Sequence, residues 1–254
     1  MTVENKKTGS YLLRYSAQLP VLTERGQARL RQARVHISAT GRIGSSLAIH
    51  LAGAGVGYVS ANDPQNVELE NLGAWAFARP PDLGKEKVMV LSKYFQGRTD
   101  FSFEPLVEPA ESKRVDPYIE RAQLVISCAN TVEGRVAAER KAIRNRKPVM
   151  QVAAWDGRKK LGGLIALRLP QNSWSACFGC YLSDKQEFPR GEGLLATVTS
   201  TLAAMAANMA VQLLTGVRAD FLREHTLFLI DLHTYTIEAL AMNRRSGCSV
   251  CGSD

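Results

Sequence analysis

Four cysteines in two matched pairs carry the plainest chemistry in this chain. Cys177 and Cys180 form one Cys-x-x-Cys, and Cys248 and Cys251 form a second. Each pair can hold a metal ion from a tight turn, and two pairs complete a tetrahedron of thiolates, the pattern of a closed structural Zn²⁺ site. Four thiolates leave no open position for water or substrate, so such a metal staples the chain and performs no catalysis. Two disulfides or four free thiols are the competing readings of the same residues. The second chemical feature is the run Ala39-Thr40-Gly41-Arg42-Ile43-Gly44. A glycine-rich turn between a strand and a helix presents backbone N–H groups to phosphate. A full Gly-x-Gly-x-x-Gly fingerprint has glycine where Ala39 stands. Asp63 follows at the ~20-residue spacing of an acid that holds a ribose hydroxyl. Its plainer reading is a turn residue before Pro64.

Positioning these residues requires alternating strands and helices. Strands are expected at 34–38, 57–61, 101–103, 123–127 and 148–153, from short apolar, β-branched runs. Helices are expected at 43–54, 83–94 and 132–146; Ile43, Leu47 and Leu51 share one face of the first. Alternation of this kind implies a parallel sheet with helices on both faces. The second half differs: a strand at 161–169, a long helix at 194–214 ending at Gly216, and two hairpin strands at 227–230 and 235–240. The expected fold is α/β, a Rossmann-like doubly wound, mostly parallel sheet extended by antiparallel strands, with a structural four-cysteine zinc site.

A hydrophobic content of 45% supports a full globular core. Net charge is +8, with basic clusters at Arg25, Arg29, Arg31 and Arg34, at 140–147, and at Arg158-Lys159-Lys160. These favour acidic partners such as nucleotides, an acidic peptide or nucleic acid, or else form solvated helix faces. Aromatic residues do not interleave with them, which argues against single-strand nucleic acid. No stretch approaches the ~20 apolar residues of a membrane span, and the first residues lack the apolar core of a secretory signal. A cytoplasmic protein with reduced thiols and no membrane partner is expected.

Further runs carry a resemblance. Gly53-Ala-Gly-Val-Gly-Tyr58 is followed by Asp63-Pro-Gln-Asn-Val-Glu-Leu-Glu-Asn-Leu72. Upstream stand Arg14-Tyr15-Ser16-Ala17-Gln18 and Gly26-Gln27-Ala-Arg-Leu30; downstream stand Gly84-Lys-Glu-Lys87 and Ser127-Cys-Ala-Asn130. As an ordered set with the two cysteine pairs, over roughly residues 11 to 252, these runs resemble the ThiF/MoeB/HesA family, related to the ubiquitin-activating enzymes. The resemblance implies one unit over 1–254: an N-terminal helical segment (1–33), a nucleotide-binding half (34–153) and a zinc-binding, dimerising half (154–254). It implies ATP and Mg²⁺ as cofactors. It also implies adenylation of the C-terminal carboxylate of a small ubiquitin-like protein or a peptide. By position, Gly41 and Gly44 would cradle phosphates, Asp63 the ribose, and Asn71 and Lys87, with Lys85 as substitute, the phosphates.

The chain departs from the family where charge matters. Its interface arginine is Ala17 here, its second arginine is Ala74, and its Mg²⁺-holding acid is Asn130. Arg42 enters the phosphate loop, where it could replace a lost cation or fill the phosphate pocket. Arg42 and Asn130 are therefore the open catalytic candidates. The loop from 181 to 193, where some relatives carry a thioester cysteine, has only Ser183 as a small nucleophile. Cys128 reads as core, and His36, His50, His225 and His233 show no triad logic. Two functions remain: an adenylating enzyme with altered residues, possible in peptide or sulfur-carrier modification, or an adenylation-incompetent subunit that binds a peptide or pairs with an active homologue. A nicotinamide dehydrogenase is the third reading, opposed by the cysteine pairs. The alanine-rich 194–214 helix permits close backbone approach, as in a dimer, homomeric or with a homologue, or in a buried core helix.

Overall fold

The computed structural model describes residues 10–181 and 193–252. The expectations for the first nine residues and for Ser183 lie outside the described residues. Eight strands form one sheet in the order β3-β2-β1-β4-β5-β6-β7-β8. Strands β1 (Arg34–Ser38), β2 (Tyr58–Asn62), β3 (Ser102–Leu106), β4 (Leu124–Ser127) and β5 (Val149–Ala154) pair in parallel. Strands β6 (Gly162–Arg168), β7 (Leu227–Asp231) and β8 (Thr236–Leu240) continue it antiparallel. The order reverses between β1 and β4, which opens a crevice at their carboxyl ends.

A helical stretch over 10–14 precedes the nine α-helices named next. Helices α1 (Leu19–Gln32) and α2 (Arg42–Ala54) flank β1; α3 (Leu69–Leu72) and α4 (Lys87–Tyr94) follow β2. Helix α5 (Asp116–Arg121) precedes β4 and α6 (Val132–Arg144) follows it. Helices α7 (Phe178–Tyr181), α8 (Ala196–Thr215) and α9 (Asp220–Glu224) lie between β6 and β7. Helices α2 and α8 make the most extensive helix pairing in the molecule. Ala48 and Ala52 of α2 share one apolar cluster with Ala203, Ala206, Ala207 and Ala210 of α8. Small side chains let the two backbones approach, while Leu47 and Leu51, fully buried, each contribute roughly 1.5–3 kcal/mol by leaving water.

These four alanines of the 194–214 run pack within the chain, while Ala204 on the same helix is exposed. The expectation that no segment approaches a membrane span is also corrected. Ala196–Thr215 is 20 residues long with mean hydropathy 1.3, but half of it is buried inside the fold. It is built as a core helix is.

Helix α2 ends at Gly55, whose φ is 95°. A β-carbon there would sit 2.3 Å from Gln27 Nε2 and 2.6 Å from the Tyr11 hydroxyl, so glycine alone permits the N-terminal segment to dock. Tyr11 donates to Gly55 O at 2.6 Å, Tyr15 to Ala52 O at 3.2 Å and Gln18 to Ala54 O at 3.4 Å. These bonds satisfy the carbonyls that every helix C-terminus leaves without partners. Asp100 anchors the same segment through Arg14 at 2.6 Å and through Tyr15. Ala17 is exposed.

The helix expected over 83–94 begins only at Lys87. The residues before it pair with the chain after β2 instead: Val67 N donates to Lys85 O, and Lys87 N to Gln65 O, both near 2.9 Å. Gly84, at φ 77°, turns the chain for that pairing. This detour brings the two lysines to the edge where β2 ends.

Candidate functional site

At the carboxyl end of β1 the chain turns through Ala39 and enters α2 at Gly41. Ala39 adopts φ 72°, the left-handed conformation that the missing glycine would take without strain. Gly44 is indispensable to the turn: a β-carbon there would lie 2.0 Å from Ala39 O. Around Gly41 there is open space, with nothing within 4 Å of a β-carbon. No side chain caps the start of α2, so its first N–H groups face that space.

Asp63 clasps this turn from β2. Its carboxylate is 2% exposed and accepts from Thr40 N at 2.7 Å, from Thr40 Oγ1 at 3.2 Å and from Gln65 N at 2.9 Å. Both carboxylate oxygens thus already hold two loops together, a job the ~20-residue spacing did not reveal. Asn71 is likewise occupied: its Oδ1 accepts from Glu68 N at 2.8 Å and starts α3 as a capping box.

The cations separate into two kinds. Lys85 is exposed and pairs with Asp82 at 3.1 Å. Lys87 is buried, 6% exposed, and its Nζ donates to a neutral partner, Gln65 Oε1, at 2.9 Å. Arg42 donates to Leu194 O at 3.0 Å and to Glu70 O at 3.4 Å, again with no carboxylate. It therefore lies between the entry of α8 and the residue before Asn71. Asn130 is exposed, just before Thr131, whose hydroxyl accepts from Gly134 N and caps α6. The structure thus gathers Gly41, Arg42, Gly44, Asp63 and the 65–87 pairing around one edge, and sets Lys85 aside. Ala74 is half-buried and carries no charge to that edge.

Three buried polar groups stand in the core, of which the sequence reading named His36 and missed Arg135 and Glu139. His36 bonds Ser60 Oγ at 3.0 Å and Asn62 Oδ1 at 3.1 Å. Burial lowers its pKa to about 4, so it is a neutral core residue at pH 7. Arg135 and Glu139, one turn apart on α6, are both buried. Arg135 donates to Gln151 Oε1 at 3.2 Å and Val152 O at 2.9 Å. Burial pushes the Glu139 carboxyl up to about 8, against the pull of the Phe178 N–H it accepts at 2.7 Å. A charged helix reads as solvated in sequence; only the polar Gln151 opposite it hinted otherwise. Cys128 is half-buried against the main apolar core, and burial raises its thiol to about 12.

The four cysteines converge from α7 and from the segment after β8. Their sulfur atoms all lie within 4.8 Å of one another. Neighbouring sulfurs are 3.7 Å (Cys177–Cys180) and 3.5 Å (Cys177–Cys248 and Cys180–Cys251) apart. A tetrahedron of Zn–S bonds has edges of ~3.8 Å, whereas a disulfide needs about 2.05 Å, so the donor set fits a metal and the cysteines are unbridged. Burial raises Cys177. It raises Cys248 as well, but N–H groups of Cys251 and Val250 outweigh it and hold that thiol at about 7, ready to ionise. Arg245 N donates to Cys180 Sγ at 3.3 Å. Among the described residues this is the only cluster of ligands that could hold a metal ion. Position 130 carries an amide, whose carbonyl oxygen can still coordinate Mg²⁺, more weakly than a carboxylate would.

Known proteins match this arrangement over nearly its whole length. The heterocyst HesA protein of Trichormus variabilis is 29% identical, covering 97% of this chain and 91% of its own. The sulfur carrier protein ThiS adenylyltransferase of Escherichia coli is 27% identical, covering 94% of this chain and 95% of its own. Among solved structures, E. coli MccB with MccA-N7isoASN superposes with a TM-score of 0.77 at 18% identity, over 95% of this chain and 75% of that one. The ThiF family model matches residues 15–250, and the chain belongs to the ThiF family.

Proposed function

We propose that the protein binds ATP at the carboxyl edge of β1 and β2 and adenylates the C-terminal carboxylate of a ubiquitin-like carrier or a peptide, using a rearranged set of cations. The observation that carries this reading is the pair Arg42 and Lys87, two cations beside the Gly41–Gly44 turn that have no carboxylate partner among the described residues. A half-buried or buried cation without a counter-charge is complementary to a phosphate. The E. coli relative named as a ThiS adenylyltransferase supports the reaction class. A carboxylate oxygen of the substrate attacks the α-phosphorus, the bond to the β-phosphate breaks, and pyrophosphate leaves with its electron pair. The product is an acyl adenylate whose AMP is a good leaving group. Arg42, Lys87 and the uncapped N–H groups of α2 would offset the charge that develops on the phosphates.

Zn²⁺ at the four cysteines would hold the segment after β8 to α7. A dimer, with itself or with a homologue, is part of the proposal. Ala17 offers no interface arginine to a homologous partner, which favours the homodimer over the heterodimer.

The neutral Ala17, Ala74 and Asn130 favour a second reading, an adenylation-incompetent subunit that binds a peptide or an active homologue. Calorimetry with ATP·Mg²⁺ and ATP–pyrophosphate exchange separate the two. Binding with carrier-dependent exchange is expected; binding without exchange moves the protein to the second reading. Absence of heat with wild-type protein ends the nucleotide reading.

A further inference from the structure

Helix α6 joins the two chemical regions of the molecule. Its first turn is capped by Thr131, directly after Asn130, and Cys128 N ties that segment to Ser38 O at 2.8 Å, at the end of β1. Two turns further along, some 12 Å at the ordinary rise, Glu139 Oε2 accepts the N–H of Phe178 at 2.7 Å. Phe178 stands between the paired cysteines Cys177 and Cys180 and is 2% exposed. The Arg135 guanidinium lies 5.5 Å from the centre of its ring, so the turn is held at both backbone and side chain. Gln151 Nε2 donates to Arg135 O at 3.3 Å and fixes the helix to β5. A carboxyl group buried to 1% exposure is costly, and its one hydrogen-bonded backbone partner is the cysteine turn.

We infer that Glu139 is a positioning residue for the metal-binding turn, and that through it the state of the cysteine cluster is transmitted along α6 to the Asn130 end. The inference stands on the metal reading and is independent of whether ATP binds.

Reduced protein loaded with cobalt(II) or zinc(II) tests it. Glu139→Gln keeps an acceptor oxygen at the same reach. It should match wild type in the cobalt ligand-field band and in the rate at which a chelator strips zinc. Glu139→Leu removes the acceptor; its band should shift and its zinc should leave roughly 10- to 100-fold faster. A Glu139→Leu protein with the wild-type band and wild-type release overturns the inference. Should Glu139→Leu fail to fold, Glu139→Asp withdraws the acceptor by one methylene, and wild-type release from that variant is equally fatal. Stripping the metal from wild type should also speed amide exchange over residues 131–135; unchanged exchange there refutes the transmission. Wild-type protein that takes up neither cobalt nor zinc overturns the metal reading and this inference with it.

Discussion

The cysteine cluster and the phosphate turn are both built where loops leave regular elements, yet their side chains behave in opposite ways. At the cysteines all four donors point at one centre, and neighbouring groups support them: Arg245 N on Cys180, and Glu139 on the turn between Cys177 and Cys180. At the phosphate turn the polar groups point at each other. Asp63 is spent on Thr40 and Gln65, and Asn71 on Glu68, while Arg42 and Lys87 have no carboxylate partner among the described residues. One region depends on convergence; the other depends on two cations and a shaped turn. The difference teaches that chemistry at the second must be argued from its free charge, not from a complete set of side chains.

The largest expected effect falls on the convergent region. Cys248→Ser should abolish stoichiometric zinc in metal analysis and lower stability by several kcal/mol, because structural zinc supplies folding free energy. Full zinc in that variant would break the comparison at its stronger end. Next, Gly44→Ala forces a β-carbon into Ala39 O and should cost about 1–3 kcal/mol in denaturant unfolding, together with any ATP binding. Wild-type stability would show that the turn is not tightly shaped. A smaller, charge-specific effect separates the lysines. Lys87→Ala and Arg42→Ala should each weaken ATP about tenfold or more, the size of a charge-assisted hydrogen bond, while Lys85→Ala stays near wild type in calorimetry. Equal losses at Lys85 and Lys87 would erase the distinction drawn between them. The smallest effect is at Ala39. Replacement by glycine relieves the left-handed strain at φ 72° and should stabilise the fold by about 0.5–1 kcal/mol; destabilisation would argue that the strain is not felt.

Much of this was legible in the sequence because short-range patterns specify it. The alternation of apolar runs gave the parallel strands through β5, and the paired Cys-x-x-Cys spacing gave a cluster that the fold does assemble. What sequence could not show depends on who faces whom. Residues 83–86 have helical composition but pair with 65–67, since Gly84 turns them back. Alanines of 194–214 suit a dimer or a core equally; their partner, α2, is distant in sequence. Arg135 and Glu139 lie in a run of charges that looks solvated, yet both are buried, with Gln151, Val152 O and Phe178 N as their hydrogen-bond partners. Asp63 follows the last residue of β2, and its partners Thr40 and Gln65 give it a clasping task that no spacing encodes.

Cys177 and Cys248 stand 71 residues apart in the chain, and all of α8, α9, β7 and β8 lies between the two pairs. A metal at the cluster therefore closes a ring around these four elements, and its influence reaches the unfolded chain as well as the folded one. Cross-linking a loop of that length removes about 4 kcal/mol of conformational freedom from the disordered ensemble. Strand β8 is the outer edge of the sheet, with its first three residues exposed and a partner on one side only. Without the ring, fraying would begin there and run inward, so that metal loss is read first as a looser antiparallel edge and only later as a lost fold.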